Sequence, residues 1–245
     1  MGKLLLIPTP VGNLEDITLR AIRELQACDL ILAEDTRTSG NLLRHLEISR
    51  PMRAFHIRNE HKALESIANQ IEELNQVGLV TDAGTPGISD PGYLLVRECI
   101  RRGIQVECLP GPVALIPALV VSGFPTDQFC FEGFLPHKKG RQTRLRKLCD
   151  EERTIVLYES PHRLLKTLEQ AAEVMGAERK AAVVREISKK FEEVQRNTFG
   201  GLISHFSKHP PKGEIVLVIE GAGKTRDAQE EPDESPLPRE KRKKE

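Results

Sequence analysis

The chain has 245 residues, of which 39% are hydrophobic and 29% are charged, and its 36 basic and 36 acidic side chains give a formal net charge of zero. This composition predicts a chain that buries a substantial core and excludes disorder over most of its length. The zero net charge and the 4% aromatic content argue against a strongly basic or mainly base-stacking nucleic-acid binder, so any RNA contact has to come from local patches.

Cysteine spacing and apolar run lengths indicate the cellular setting. The cysteines are scattered and never form a Cys-x-x-Cys pair, which favours reduced core thiols over a disulfide framework or a zinc site. Residues 3–7 are too short for a signal peptide, and the longest apolar stretch, 113–124, is interrupted by Pro117 and Gly123. We therefore expect a cytoplasmic protein with no membrane segment and no bound metal.

In the first half of the chain, strand-like apolar runs at residues 4–8, 30–33, 79–81 and 104–109 alternate with segments of helical periodicity. The clearest helix is predicted at residues 60–77, where apolar side chains recur at spacings of three and four. This alternation is typical of an α/β fold with a parallel sheet.

After residue 127 the pattern restarts, which indicates a second α/β domain. The predicted strands there lie at residues 129–134, 154–158, 181–185, 191–195 and 214–220. A basic helix is predicted from about Gly140, and another at residues 161–174 with Ser160 as its N-cap. We predict domains at residues 1–124 and 125–223, followed by a disordered charged tail at 224–245.

Three loops rich in Pro and Gly each follow a predicted strand and precede a predicted helix. They lie at residues 8–16 (PTPVGNLED), 82–92 (DAGTPGISDPG) and 109–114 (LPGPVA). Ligands bind at the carboxyl ends of strands in open α/β sheets, so three rigid loops there predict a preformed pocket, although any one alone reads equally as an ordinary turn. The Gly patterns of dinucleotide and nucleoside-triphosphate sites are absent.

Together with residues 33–37 (AEDTR), 131–136 (FEGFLP), 158–163 (YESPHR) and 212–214 (KGE), these loops closely resemble the small-subunit rRNA methyltransferase I family of the tetrapyrrole-methylase superfamily. The resemblance covers about residues 3 to 221. It implies two α/β domains with S-adenosylmethionine in the cleft between them, usually in a homodimer. The implied activity is 2′-O-methylation of a decoding-region cytidine in the 16S rRNA of the small ribosomal subunit. Many family members continue into a small helical segment where this chain has its charged tail.

By position, the resemblance also implies the donor-binding residues. They are Pro10, Asp82, Ala83, Gly84, Ile88, Ser89, Pro110, Gly111, Pro112, Phe131, Leu135, Tyr158, Glu214 and Ile215.

A ribose hydroxyl is a weak nucleophile, so a positioned base or a cation beside the forming alkoxide would assist the transfer. The candidate catalytic residues are Glu34, Asp35, Arg37, His162, Arg185 and Glu186. Each has a structural alternative. Glu34 and Asp35 suit a cap on a helix expected to begin near Ser39, His162 suits a solvated turn, and Arg185 with Glu186 suits a structural ion pair.

The expected RNA-facing segment is residues 137–147 (HKKGRQTRLRK). Arg141 and Arg144 are three residues apart, so we expect them to form an outward cationic ridge while Leu145 and Leu148 pack inward. The candidate RNA-binding residues are Lys138, Lys139, Arg141, Arg144 and Lys147. A solvated basic helix would give the same pattern. Two other functions stay open, methylation of a tetrapyrrole or other small molecule and a non-catalytic role in RNA binding during ribosome assembly.

Overall fold

A computed structural model describes residues 2–223, and the predicted tail lies outside them. Within these residues the strands are β1 (Lys3–Leu6), β2 (Leu30–Ala33), β3 (Met52–Ala54), β4 (Gln76–Val80), β5 (Gln105–Cys108), β6 (Phe129–Phe134), β7 (Thr154–Glu159), β8 (Lys180–Arg185), β9 (Glu193–Thr198) and β10 (Ile215–Ile219). The helices are α1 (Leu19–Ala27), α2 (Thr36–His45), α3 (Ile57–Glu73), α4 (Tyr93–Arg101), α5 (Leu115–Ser122), α6 (Arg141–Lys147), α7 (Leu164–Met175) and α8 (Phe199–Lys208).

The first sheet is parallel throughout and has the strand order β3-β2-β4-β1-β5. Its central strands are apolar on both faces because helices cover both sides. Side chains of α3 and α4, such as Ile67 and Leu95, pack on one face, whereas Leu25 of α1 and Leu43 of α2 pack on the other. Because all strands of this sheet are parallel, their carboxyl ends lie together at one edge.

The α3 helix corrects the predicted helix at residues 60–77. It begins at Ile57 and ends at Glu73, because the chain from Gln76 onward pairs with β1 and β2 as β4. The buried Glu60 carboxylate accepts hydrogen bonds from the Gly92 and Leu94 amides at 3.2 Å each. A negative charge at the amino end of α4 is favourable there, and it fixes the loop that leads into α4.

The second sheet is mixed, with the order β6-β7-β10-β8-β9, and its β6–β7 pair is parallel while the other pairs are antiparallel. Helices α6, α7 and α8 cover one face. The predicted helix at residues 161–174 begins later, at Leu164, and Arg163 rather than Ser160 occupies the cap position. The short strand β3 and the helix α8 have no counterpart in the sequence-based predictions.

Helix α5 lies between the sheets. Its buried Leu115, Ala118 and Leu119 pack against the second sheet, although the predicted boundary after residue 124 assigns α5 to the first domain. Among residues 2–223, no helix combines the length and apolar character needed to span a membrane.

Candidate active site at the edge of the parallel sheet

The structure joins the three predicted loops. Thr9 and Gly84 exchange two backbone hydrogen bonds of 2.9 Å, and the Thr9 hydroxyl donates to the Thr81 carbonyl at 3.0 Å. The Thr85 hydroxyl donates to the Pro112 carbonyl at 2.8 Å. The loops after β1, β4 and β5 therefore form one continuous wall.

Close backbone approaches shape this wall. Gly84 has a φ of +88°, and a Cβ there would lie 3.5 Å from Val11 Cγ1. Ser89 adopts a left-handed φ of +65°. Across the cleft, Gly133 has a φ of +60°, and a Cβ on it would lie 2.9 Å from Ser89 Oγ. A side chain on Gly133 would push the two sides of the cleft apart, whereas a Cβ on Gly84 would make an ordinary contact with Val11 in a strained backbone conformation.

A cavity of about 420 Å³ lies between the two sheets, a size typical of small-molecule sites. The predicted donor-binding residues that line it are Asp82, Ala83, Gly84, Ile88, Ser89, Tyr158, Glu214 and Ile215. The predicted residues that lie outside its lining are Pro10, Pro110, Gly111, Pro112, Phe131 and Leu135. Phe131 supports the lining by packing edge-on against the Tyr158 ring at 5.0 Å, while Leu135 is buried in the core beneath α6.

The cavity wall is acidic. Its carboxylates are Glu34, Asp82, Asp90, Glu159 and Glu214, and none of the described residues that line it is basic. Burial, reinforced by Glu34, raises the pKa of Asp90 to about 7. Burial and Glu34 also raise the pKa of Asp82. The cavity therefore favours a cationic ligand and holds a carboxyl group that titrates near neutral pH.

The three catalytic candidates that follow β2 are Glu34, Asp35 and Arg37, and they occupy different environments. Glu34 lines the cavity and accepts a 2.7 Å hydrogen bond from the Thr81 hydroxyl. Asp35 lies outside the lining and caps α2 through the Arg37 amide at 2.8 Å. Hydrogen bonds from the exposed Arg37 lower the pKa of Asp35 to about 2. The capping interpretation is confirmed for Asp35, with the helix beginning at Thr36 rather than near Ser39.

The remaining catalytic candidates also lie outside the lining. His162 is exposed. Arg185 forms an ion pair with Glu193 rather than with Glu186, the partner in the structural alternative. Glu186 instead accepts the Glu214 amide at 2.9 Å and the Lys189 ammonium at 3.0 Å, and these hydrogen bonds lower its pKa. Glu186 thereby holds a residue of the cavity wall in place.

The basic side chains of residues 137–147 differ in exposure. Leu145 and Leu148 are buried, as predicted. Arg141 is only 4% exposed and contacts Gln170, Thr167 and Glu159. Its predicted outward position is wrong, because the first turn of α6 faces α7 and the buried carboxylate. The exposed members of the predicted RNA-binding set are Lys138, Lys139, Arg144 and Lys147.

Sequence reasoning missed Glu159, which lines the cavity although it is 2% exposed. Arg141 and Arg163 each lie 3.3 Å from its carboxylate, and the Ser160 amide donates to it at 2.8 Å. Asp90 was missed as well. Asp90 lies in the recognised loop at residues 82–92. The carboxylates that raise its pKa include Glu34 and Glu214, which are distant in sequence, so the local sequence does not mark Asp90 as a titrating group.

Comparisons with known proteins place the fold. A sequence profile of the family described as Tetrapyrrole (Corrin/Porphyrin) Methylases matches residues 3–203. The chain belongs to this family. The solved structure of the methyltransferase CobJ superposes with a TM-score of 0.68 at 16% identity, over 91% of this chain and 95% of CobJ. The cobalt precorrin-4 methyltransferase CbiF gives 0.65 at 17% identity, over 89% and 94%. These likenesses confirm the predicted fold class.

Relatives within the family are more similar in sequence. A ribosomal RNA small subunit methyltransferase I from Thermotoga maritima is 49% identical over 221 residues, which are 90% of this chain and 99% of the relative. Proteins of the same name from Synechocystis sp. (48% identical, over 91% of this chain and 80% of theirs) and Escherichia coli O157:H7 (47%, over 90% and 78%) also match. The resemblance identified from the motifs is confirmed.

Proposed function

We propose that this protein transfers a methyl group from S-adenosylmethionine to the RNA of the small ribosomal subunit. The observation that carries the proposal is 49% identity across 99% of a relative named for that activity. We further propose, from the motif resemblance, that the acceptor is the ribose 2′-hydroxyl of a decoding-region cytidine in 16S rRNA. The predicted homodimer and cytoplasmic location remain part of this proposal.

The cavity suits this donor. S-adenosylmethionine carries a cationic sulfonium and an ammonium group, and Glu34 and Asp82 supply negative charge to the wall. The Glu214 carboxylate also lines the wall but is paired with Lys189 at 2.9 Å. The left-handed backbone at Gly84 leaves space that a side chain would fill. The residues that would hold the donor are Asp82, Ala83, Gly84, Ile88, Ser89, Tyr158, Glu214 and Ile215. When bound, the donor supplies an electrophilic methyl group on positively charged sulfur.

We assign Asp90 as the group that accepts the proton of the acceptor hydroxyl. It lines the cavity, and burial with nearby Glu34 raises its pKa to about 7, a value suited to a general base near neutral pH. Asp35 is less suited because Arg37 keeps its pKa near 2 and it lies outside the cavity lining. Glu34 supports the assignment by raising the proton affinity of Asp90.

The RNA would approach across the second sheet. Lys138, Lys139, Arg144 and Lys147 are exposed in the segment that follows β6, and we propose that they contact phosphates. Arg141 does not belong to this group because its guanidinium is buried against Glu159. This segment provides a local positive surface for RNA on a chain whose net charge is zero.

The test is transfer of a labelled methyl group from S-adenosylmethionine to small ribosomal subunits purified from a strain that lacks the enzyme. A porphyrinogen is offered as acceptor in a parallel reaction. We expect label in the RNA alone. Label in the porphyrinogen alone would contradict the proposal and favour the tetrapyrrole alternative. A protein that binds the RNA but gives no heat with S-adenosylmethionine in calorimetry would instead be a non-catalytic factor.

A further inference from the structure

A second depression, here called the side groove, adjoins the main cavity. It has a volume of about 450 Å³, and its lining includes Phe134, Pro136, Thr143, Arg144 and Lys147. Phe134 lines both the side groove and the main cavity. The two spaces therefore meet at one aromatic ring.

Phe134 is held outward by local structure. The register of β6 shifts between Phe131 and Gly133, and the left-handed Gly133 lies at this irregularity, a device that redirects the side chains that follow. As a result the Phe134 side chain is 54% exposed. Its ring packs tilted against the Tyr158 ring at 5.6 Å, which leaves the rest of the ring accessible.

The rim of the side groove is cationic. Arg144 and Lys147 lie on α6, three residues apart, and both are exposed. Arg144 pairs with Glu132 at the base of the groove, and its side chain keeps 48% of its exposure. Because solvent reaches the Arg144 side of this pair, a phosphate can approach Arg144 and replace the largely buried Glu132 carboxylate as its partner.

The floor of the side groove is fixed by the network around Glu159. Arg163 donates to the Leu135 carbonyl at 2.8 Å, and Arg141 donates to the Pro136 carbonyl at 3.4 Å. Both guanidinium groups also contact the buried Glu159 carboxylate at 3.3 Å. Glu159 also lines the main cavity. The same buried charge network therefore contacts residues that line both the main cavity and the side groove.

We propose that the side groove binds a nucleotide adjacent to the methylated one in single-stranded RNA, with its base stacked on Phe134 and its phosphate held by Arg144 and Lys147. An exposed ring beside cationic side chains is the combination that recognises unpaired nucleotides. This assignment rests on the proposed function. It adds a base-binding residue that the low aromatic content of the sequence, 4%, did not predict.

The first test is fluorescence anisotropy with a labelled single-stranded oligoribonucleotide of about ten nucleotides centred on a cytidine. We expect Phe134→Ala to weaken binding roughly 5- to 100-fold, the effect of removing one stacked base. Phe134→Tyr keeps the ring and should restore binding. Phe191→Ala removes another exposed ring, outside both spaces, and should bind like the wild type.

An abasic scan then locates the stacked base. One nucleotide at a time loses its base, and at a single position we expect the wild type to lose affinity while Phe134→Ala is unaffected by the same change. Wild-type protein that fails to bind the oligoribonucleotide, equal binding by Phe134→Ala, or additive losses at every position would each overturn the proposal.

The ionic part of the proposal has its own signature. Replacing Arg144 and Lys147 with Gln should lower the slope of log affinity against log salt by about 0.7, because the contact with one single-strand phosphate is lost. Phe134→Ala should leave that slope unchanged, since stacking releases no counterions. An unchanged slope in the double variant would contradict the assignment of Arg144 and Lys147.

Methyl transfer separates this proposal from the function on which it rests. With small ribosomal subunits as substrate, Phe134→Ala should raise the KM for the subunits. The double replacement of Arg144 and Lys147 by Gln, at two positions outside the lining of the main cavity, should also raise that KM and leave the calorimetric affinity for S-adenosylmethionine unchanged. Wild-type protein without methyl transfer to RNA would refute the function, whereas full transfer with no change in KM for Phe134→Ala would refute only the side groove.

Discussion

The main cavity and the side groove share Phe134 but differ in charge. The cavity wall carries carboxylates such as Asp82, Asp90 and Glu214, whereas Arg144 and Lys147 line the groove. A cationic small molecule is favoured in the first space and an anionic polymer in the second. The difference shows how a chain of zero net charge can accommodate both reactants without a strongly basic surface.

A second contrast lies within α6. Arg141 and Arg144 are three residues apart, yet Arg141 is buried against Glu159 while Arg144 is exposed beside the side groove. The same residue type therefore serves the fold at one position and is available for RNA at the other.

Removing the titratable charge from the cavity should have the largest effect. We expect Asp90→Asn to slow methyl transfer by about 10²- to 10⁴-fold, the usual contribution of a general base. Because burial raises the pKa of Asp90 to about 7, the wild-type rate should increase as the pH rises through 7 and then level off. The variant should lack that increase.

Thermal unfolding at pH 8 provides the control for Asp90→Asn. A raised pKa means that the charged carboxylate is less favourable in the folded chain than in the unfolded one. This destabilisation grows as the pH rises from about 3.9, the ordinary pKa of an aspartate, to about 7, the pKa of Asp90 in the folded chain. The variant should therefore unfold at the same or a higher temperature than the wild type at pH 8. Asp127→Asn, in an exposed loop, should change neither property. A wild-type pH profile in Asp90→Asn would show that another group accepts the proton.

The two arginines of α6 should differ in stability. Arg141→Ala removes one of the two cations that contact the buried Glu159, and breaking such a pair costs about 3–5 kcal/mol. Arg144→Ala removes a pair whose arginine is about half exposed, so it should cost less than Arg141→Ala because solvent screens the interaction. Urea unfolding of both variants measures the difference. Equal losses would mean that the buried network does not hold α6 in place.

Two glycines with left-handed backbones offer the third comparison. Gly84 (φ +88°) lines the cavity, whereas Gly87 (φ +83°) lies outside its lining, and a Cβ on Gly87 would meet open space. Valine at either position is strained by about 1–3 kcal/mol, but only Gly84→Val would also fill the donor site. We expect at least about 100-fold weaker S-adenosylmethionine binding, equivalent to about 2.7 kcal/mol, for Gly84→Val alone. Calorimetry showing equal affinity in the two variants would remove Gly84 from the site.

Much of the fold is readable from local sequence. The apolar runs at residues 30–33 and 129–134 coincide with β2 and β6, and the Pro- and Gly-rich loops lie at one edge because parallel strands end there together. Helix periodicity did not mark the end of α3, where apolar residues continue into β4. The spacing of three between Arg141 and Arg144 placed both on one face, but it carried no information about the carboxylate that draws Arg141 inward.

The chemistry of the candidate site was harder to predict because it depends on contacts between distant residues. Arg141 and Glu159 are 18 positions apart and Glu34 and Thr81 are 47 apart, so their pairing follows from the topology alone. Asp35, in contrast, caps the helix that immediately follows it, and this local role was predictable.

Nucleoside mass spectrometry of small-subunit RNA tests the proposed methyl transfer most directly. Small ribosomal subunits from a strain that lacks the enzyme are first incubated with S-adenosylmethionine and the protein. We expect 2′-O-methylcytidine to appear with the wild type and to be strongly reduced with Asp90→Asn. A base-methylated nucleoside, or RNA unchanged by a wild-type protein that binds the donor, would contradict the proposed function.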